Sequence, residues 1–251
     1  MTSAGQFHDW QLATAVAIHD EAPSVRTIAF TLPQWTGHLA GQHVDIRLTA
    51  EDGYQAERSY SIASAAEVSA QMEITVERIA EGEVSPFLTG ELLVGDTLEI
   101  RGPIGGYFTW RPSTMTPLML IAGGSGVVPL MSMLRSRDRS PSRAPAALLY
   151  SVRKREGIIY RGELDQLAKK TDGLTVTYTL TRESPADWLG ETRRVDERML
   201  KTYAIPAERR PEVYVCGPTV FVETVAEHLL RLGHPEGAIK TERFGPTGER
   251  S

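Results

Sequence analysis

Short β-rich runs separated by turn residues fill the first part of the chain, from Gln11 to about Ile100. In Met72–Ile79 apolar and polar residues alternate with the period of a half-buried strand. The pattern predicts six strands, at Ala13–His19, Val25–Leu32, His43–Leu48, Arg58–Ala63, Met72–Ile79 and Thr97–Arg101. Strands of this kind are typical of an antiparallel barrel or sandwich.

After Pro112 the pattern changes to strands that alternate with helices. Strands are predicted at Leu118–Ala122, Ala146–Val152, Leu174–Leu180 and Glu212–Cys216, and helices at Val128–Arg135, Gly162–Lys170, Asp196–Thr202 and Thr219–Leu232. This alternation indicates βαβ units and a parallel sheet. We therefore predict two domains, residues 1–112 and 113–251.

Composition narrows the class of protein. The chain has 251 residues, of which 41% are hydrophobic and 24% charged, as in soluble globular proteins. The longest apolar stretch, Leu118–Ala122, is far shorter than the roughly 20 residues that cross a bilayer. Residues 1–10 lack a signal pattern, so we expect a cytoplasmic protein without a membrane partner. The net charge of −5 argues against nucleic acid as a partner.

The single cysteine, Cys216, excludes an internal disulfide. It also excludes a plant-type [2Fe–2S] cluster held by this chain alone, because that cluster takes four cysteines. We predict no metal site.

Two turns at strand ends suggest a nucleotide site. Gly123-Gly-Ser-Gly126 follows a buried-type strand and precedes a helix, where glycines let the backbone approach a pyrophosphate and helix amides donate to it. A tight turn that binds nothing has the same sequence, and the spacing is not the dinucleotide fingerprint G-x-G-x-x-G. Cys216-Gly-Pro218 ends a second strand, so both turns are predicted to face one crevice.

Six short motifs follow one another along the chain: Arg58-Ser-Tyr-Ser61, Gly82-Glu-Val-Ser85, Gly102-Pro-Ile-Gly105, Gly123-Gly-Ser-Gly126, Cys216-Gly-Pro218 and Glu242-Arg-Phe244. In these motifs and their order the chain resembles the ferredoxin–NADP reductase family, above all the reductase components of oxygenases, from about Ala13 to Phe244. The resemblance implies a flavin-binding antiparallel Greek-key β-barrel followed by an NAD(P)-binding α/β domain with a parallel sheet.

The resemblance also implies the flavin site. The residues implied are Arg58, Ser59, Tyr60, Ser61, Val76, Gly82, Val84, Ser85 and Phe244. Arg58 would meet the flavin phosphate, Tyr60 would pack on the isoalloxazine and Ser61 would approach N5. Without the resemblance, Tyr60 and Ile62 are the inward face of a strand and Ser85 is an ordinary helix N-cap.

Ser61, Cys216 and Glu242 are implied as catalytic residues. Cys216 resembles a cysteine near the nicotinamide C4 position, although a lone buried cysteine is by default a packing residue. Glu242 would relay a proton to the Ser61–N5 region, and Phe244 would cover the ring. Residues 245–251 follow Phe244, whereas the capping aromatic of plant-type reductases ends the chain; this departure weakens the stacking prediction.

The NAD(P) residues implied are Gly123, Gly124, Ser125, Gly126, Arg153, Thr181, Arg182, Cys216, Gly217 and Pro218. Arg153 and Thr181-Arg182 follow strands where the family places contacts to the adenosine ribose. No acidic residue immediately ends those strands, which favours NADPH over NADH. A solvated Arg153 and an Arg182 paired with Glu183 are the alternatives. FAD is favoured over FMN, because most members with this motif order bind FAD.

The expected activity is electron transfer from NAD(P)H through the flavin to a separate acceptor. We expect that acceptor to be a ferredoxin or an oxygenase component, docked on arginine clusters at 135–143, 153–161 and 193–198 unless these are merely solvated faces. We also expect a monomer. The alternatives are a free-standing NAD(P)H flavin reductase or oxidase, a flavin-binding redox-sensing subunit without turnover, and a barrel plus α/β domain without flavin.

Overall fold

The computed structural model describes residues 9–67, 69–112, 115–141, 143–183 and 185–244. The chain divides into two compact units, Met1–Arg111 with Met131–Ser136, and Pro112–Leu130 with Arg137–Ser251. The division predicted from sequence assigned residues 131–136 to the second domain. No helix within the described ranges is long and apolar enough to cross a membrane.

The first unit is built on a six-stranded antiparallel sheet. Its elements are β1 (Gln11–Ala22), β2 (Val25–Thr31), β3 (His43–Thr49), β4 (Gln55–Ser61), β5 (Gln71–Glu77), α1 (Val84–Gly90) and β6 (Thr97–Ile104). The strand order is β4-β3-β6-β1-β2-β5, and an isolated bridge between Ile62 and Ile74 links the two outer strands, so the sheet is barrel-like. Ile28, Phe30 and Ile46 lie in its core and are fully buried.

The second unit is built on a parallel sheet. Its elements are β7 (Leu118–Gly123), α2 (Val127–Arg139), β8 (Ala146–Val152), α3 (Arg161–Lys169), β9 (Leu174–Leu180), α4 (Glu197–Tyr203), β10 (Glu212–Pro218), α5 (Thr219–Arg231) and β11 (Ile239–Phe244). The strand order is β11-β10-β7-β8-β9. The chain therefore reverses its direction of travel across the sheet between β7 and β10, where open α/β sheets form a ligand crevice.

The predicted succession of an antiparallel barrel-like sheet and a parallel α/β sheet is confirmed. Two elements, α1 and β11, were not among the predicted strands and helices. The strand predicted at Arg58–Ala63 is Gln55–Ser61, because its first three residues pair with β3 although two of them are exposed.

Candidate active site

The predicted NAD(P) residues lie along one edge of the parallel sheet. Gly123 ends β7, Pro218 ends β10, Arg153 directly follows β8 and Thr181 directly follows β9. Because all strands are parallel, these positions share the carboxyl edge of the sheet. That edge is where open α/β sheets bind their ligands.

The two glycine turns meet backbone to backbone at the switch between β7 and β10. A Cβ atom on Gly126 would lie 2.2 Å from the carbonyl oxygen of Cys216, and one on Gly217 would lie 3.0 Å from the Cα of Gly123. Gly124 has a φ of +56° and open space where a Cβ would stand. Since α2 begins at Val127, its first amides lie directly after this bare loop. The loop and helix start fit a pyrophosphate.

Cys216 lies opposite Glu242 in the register of β10 and β11. Its side chain is fully buried. Burial raises the pKa of the Cys216 thiol well above its usual value, and the nearby Glu242 charge raises it further, against a smaller lowering by the Gly217 amide. The thiol is therefore protonated at neutral pH, which fits a small neutral side chain and not a thiolate nucleophile.

The turns after β8 and β9 are joined. The Arg182 amide donates to the Arg153 carbonyl at 3.0 Å, and the Thr181 amide donates to the Val152 carbonyl at 2.9 Å. Glu183 forms its ion pair with Lys154 Nζ at 2.7 Å and not with Arg182, so the alternative pairing is wrong. Within the described residues, the guanidinium groups of Arg153 and Arg182 have no ion-pair partner, as a site for an extra phosphate requires.

The flavin motif forms the second half of β4. Arg58 and Ser59 are exposed, Tyr60 is half-buried and Ser61 is buried. Arg58 Nη2 donates to a Glu83 carboxylate oxygen at 3.1 Å, and Ser59 Oγ donates to Asp45 at 2.6 Å. Tyr60 packs against the barrel core, and this burial raises its pKa although the Arg58 charge opposes the shift.

The other flavin residues of this unit are mostly buried. Val76 belongs to the core of the sheet and is 1% exposed. Ser85 Oγ accepts a hydrogen bond from the Ile79 amide at 3.0 Å, and the N-cap of α1 is Glu83, so the alternative of an N-cap Ser85 is wrong. A Cβ on Gly82 would lie 3.0 Å from the Ser85 oxygen, which explains the small residue there.

Comparison with known proteins agrees with this geometry. A family described as the oxidoreductase FAD-binding domain matches residues 13–109, and one described as the oxidoreductase NAD-binding domain matches residues 120–227. Ferredoxin–NADP reductase B of Sorangium cellulosum is 35% identical over 240 residues, covering 92% of this chain and 96% of that protein. This chain belongs to the ferredoxin–NADP reductase family.

Two further relatives extend the comparison. The glycine betaine monooxygenase reductase subunit of Pseudomonas aeruginosa is 30% identical, covering 94% of this chain, which spans 64% of that protein. The crystal structure of a cytochrome P450 reductase from Amycolatopsis is 26% identical, with a TM-score of 0.81 and coverage of 96% of this chain and 71% of that one. The predicted family, the oxidoreductase class and the FAD and NAD(P) cofactors are confirmed.

In this family member, Glu242 and Phe244 lie on β11, and both are half-buried. Phe244 is the register partner of Pro218 and so stands at the carboxyl edge of the sheet. Residues 245–251, which weakened its predicted stacking role, lie outside the described residues. The roles of Glu242 and Phe244 towards the flavin stay predictions.

His43 is a residue of the reductase that the sequence analysis did not single out. It is the register partner of Ser61 on the β3–β4 hairpin. Burial lowers the pKa of His43, and the Asp45 charge opposes this shift without reversing it. A Cβ on Gly105 would lie 3.5 Å from its Nδ1. A neutral imidazole therefore lies on the strand beside the predicted catalytic hydroxyl.

The arginine cluster at 135–143, predicted to dock the acceptor, is largely engaged inside the reductase. Arg135 Nη1 binds Glu73 at 3.0 Å, and Arg137, which is 1% exposed, binds Asp172 at 3.1 Å. Arg143 binds the same Asp172 at 3.0 Å. The prediction that this cluster is a free docking face is therefore wrong for these three side chains.

Proposed function

We propose that this reductase takes electrons from NADPH and passes them through bound FAD to a separate ferredoxin or oxygenase component. The observation that carries the proposal is the row of nucleotide residues on the carboxyl edge of the sheet, with two unpaired arginines beyond it. The names of the relatives support the acceptor class. The domain division 1–112 and 113–251, the monomeric state and the cytoplasmic location stay predictions.

The residues of the first unit hold and orient the flavin. A bound flavin accepts a hydride from reduced nicotinamide and releases electrons singly or as a pair. Arg58 presents an exposed guanidinium suited to phosphate, and the half-buried Tyr60 presents an aromatic ring for stacking. Ser61 supplies a buried hydroxyl, which can donate or accept a hydrogen bond at N5.

The residues of the second unit hold the nucleotide. The glycine loop and the first amides of α2 bind the pyrophosphate, and the guanidinium groups of Arg153 and Arg182 bind the 2′-phosphate of NADPH. Cys216 contributes a small neutral thiol beside the nicotinamide, because its pKa is raised. Glu242, whose carboxylate lies close enough to influence that thiol, accepts or donates the proton that accompanies electron transfer.

Two assays test the proposal with the purified holoprotein. Anaerobic mixing with NADPH should bleach the flavin absorbance, and NADH should do so more slowly at equal concentration. Cytochrome c reduction should then depend on added ferredoxin or on the oxygenase component. A flavin that NADPH leaves unbleached would eliminate the reductase, and full cytochrome c reduction without ferredoxin would favour a free-standing reductase or oxidase.

A further inference from the structure

The carboxylate of Glu83 occupies the guanidinium of Arg58. Arg58 Nη2 donates to Glu83 Oε2 at 3.1 Å, while Nη1 donates to the Glu57 backbone carbonyl at 2.7 Å. The other Glu83 oxygen accepts the Tyr54 hydroxyl at 2.5 Å. Glu83 thus connects the turn before β4, strand β4 itself and the start of α1.

Glu83 is not spent on its own helix. It stands at the N-cap of α1, where an acidic side chain ordinarily accepts hydrogen bonds from the first-turn amides. Here the Glu83 side chain makes no capping bond. Both its oxygens serve Arg58 and Tyr54 instead, and the hydrogen bond from Tyr54 to Glu83 raises the pKa of that phenol.

The pair remains open to a ligand. The Arg58 side chain is 51% exposed and that of Glu83 is 45% exposed, so a phosphate can reach the guanidinium without any unfolding. Any phosphate held by Arg58 must then share the guanidinium with a carboxylate. The electrostatic cost of sharing rises with the charge on the phosphate.

We propose that Glu83 makes the flavin site select FAD over FMN. The phosphomonoester of FMN carries about −1.5 to −2 at pH 7, as other phosphomonoesters do. Each phosphate of the FAD pyrophosphate carries a single negative charge, because both are esterified. Glu83 reduces the net positive charge that Arg58 offers, and the dianion loses more by this than the monoanion. The inference rests on the proposed function, in which Arg58 binds the flavin phosphate.

The size of the effect follows from the exposure of the pair. Two unit charges at about 4 Å interact by about 1 kcal/mol in water, which is the appropriate limit for half-exposed side chains. The extra charge of FMN should therefore weaken its binding by roughly fivefold relative to FAD, the equivalent of about 1 kcal/mol.

The experiment measures dissociation constants of FAD and FMN by fluorescence titration of the full chain stripped of flavin. The variants are Glu83→Gln, Glu83→Ala and the control Glu57→Gln. Glu57 is also exposed on this strand, but its carboxylate lies 3.9 Å from Arg47 and from Arg101 and forms no contact with the Arg58 guanidinium. Glu57→Gln therefore makes the same change in net charge on the same strand.

We expect the ratio of the FMN to the FAD dissociation constant to fall roughly fivefold in both Glu83 variants and to stay unchanged in Glu57→Gln. An equal gain in affinity for both flavins would overturn the inference, because Glu83 would then only compete with phosphate. So would an unchanged ratio, or a fall in the alanine variant alone. If the wild-type chain bound no FAD, the proposed function itself would fail.

Discussion

Gly126→Ala tests the backbone contact between the two glycine turns. Gly126 has an ordinary φ of −59°, so alanine adds no backbone strain and the effect is steric alone. The new Cβ would stand 2.2 Å from the carbonyl oxygen of Cys216, 2.4 Å from its carbonyl carbon and 2.7 Å from the Gly217 nitrogen. All three are backbone atoms, which cannot turn aside as a flexible side chain can.

The magnitude follows from these distances. Carbon and oxygen atoms normally pack about 3.5 Å apart, so the turns must separate by about 1 Å or more. Overpacking of this kind costs about 2 kcal/mol of unfolding free energy, or roughly 4–8 °C in Tm for a chain of this size. A displacement of about 1 Å at a positioning site lowers kcat/KM by about 100-fold.

The assay is steady-state reduction by NADPH, together with the FAD content and the Tm. We expect kcat/KM for NADPH to fall while the FAD content is retained, because Gly126 belongs to the second unit. The matched control is Gly162→Ala in α3, where a Cβ meets nothing within 4 Å. That change should stabilise the helix by about 0.5–1 kcal/mol and leave kinetics unchanged. Wild-type kinetics and Tm in Gly126→Ala would refute the steric reasoning.

Other predictions concern single side chains. Arg58→Ala should lower FAD retention by about tenfold or more in equilibrium dialysis, whereas Cys216→Ala should retain FAD and slow stopped-flow flavin reduction about tenfold; the opposite pattern would mean that the roles are misassigned. Arg182→Ala should raise KM for NADPH roughly tenfold and leave KM for NADH unchanged, and equal losses would contradict 2′-phosphate binding. Arg137→Met should cost about 3 kcal/mol at pH 7 by urea unfolding, because it breaks a buried ion pair. Burial raises the pKa of Asp172, but the Arg137 and Arg143 contacts outweigh it and hold that pKa below 3.8, so the cost of Arg137→Met should shrink as the pH falls below that value, and a cost independent of pH would argue against the ion pair.

The sequence predicted those elements whose own side chains determine them. The bounds of β8 and β9 are those predicted, and β8 is buried along its whole length. Strand β11 was missed because only Ile239 in it is buried, and its position depends on the backbone of β10. Helix α1 was missed as an element because Pro86 and Gly90 are poor helix formers. It forms because Val84 and Leu88 are buried in the barrel core.

The same distinction applies to the candidate site. The carboxyl edge of the sheet was predictable because a strand, a glycine turn and a helix follow one another directly in the sequence. The pairing of Arg58 with Glu83 joins residues 25 positions apart, and neither residue carries a local signal for the other. The placement of His43 beside Ser61 depends on the register of a hairpin, which the alternation of apolar residues left open.

Strand β4 carries the flavin motif at the outer position of its sheet. Its hydrogen-bonded neighbour is β3, and in the described part of the chain its connection to β5 is the bridge between Ile62 and Ile74 just beyond its end. Alternate amides and carbonyls from Gln55 to Ser61 therefore face away from any strand. Without cofactor, they form the kind of open edge through which strands of separate chains pair and aggregate. Binding a flavin along this strand covers that edge, so cofactor loading and resistance to aggregation depend on the same seven residues.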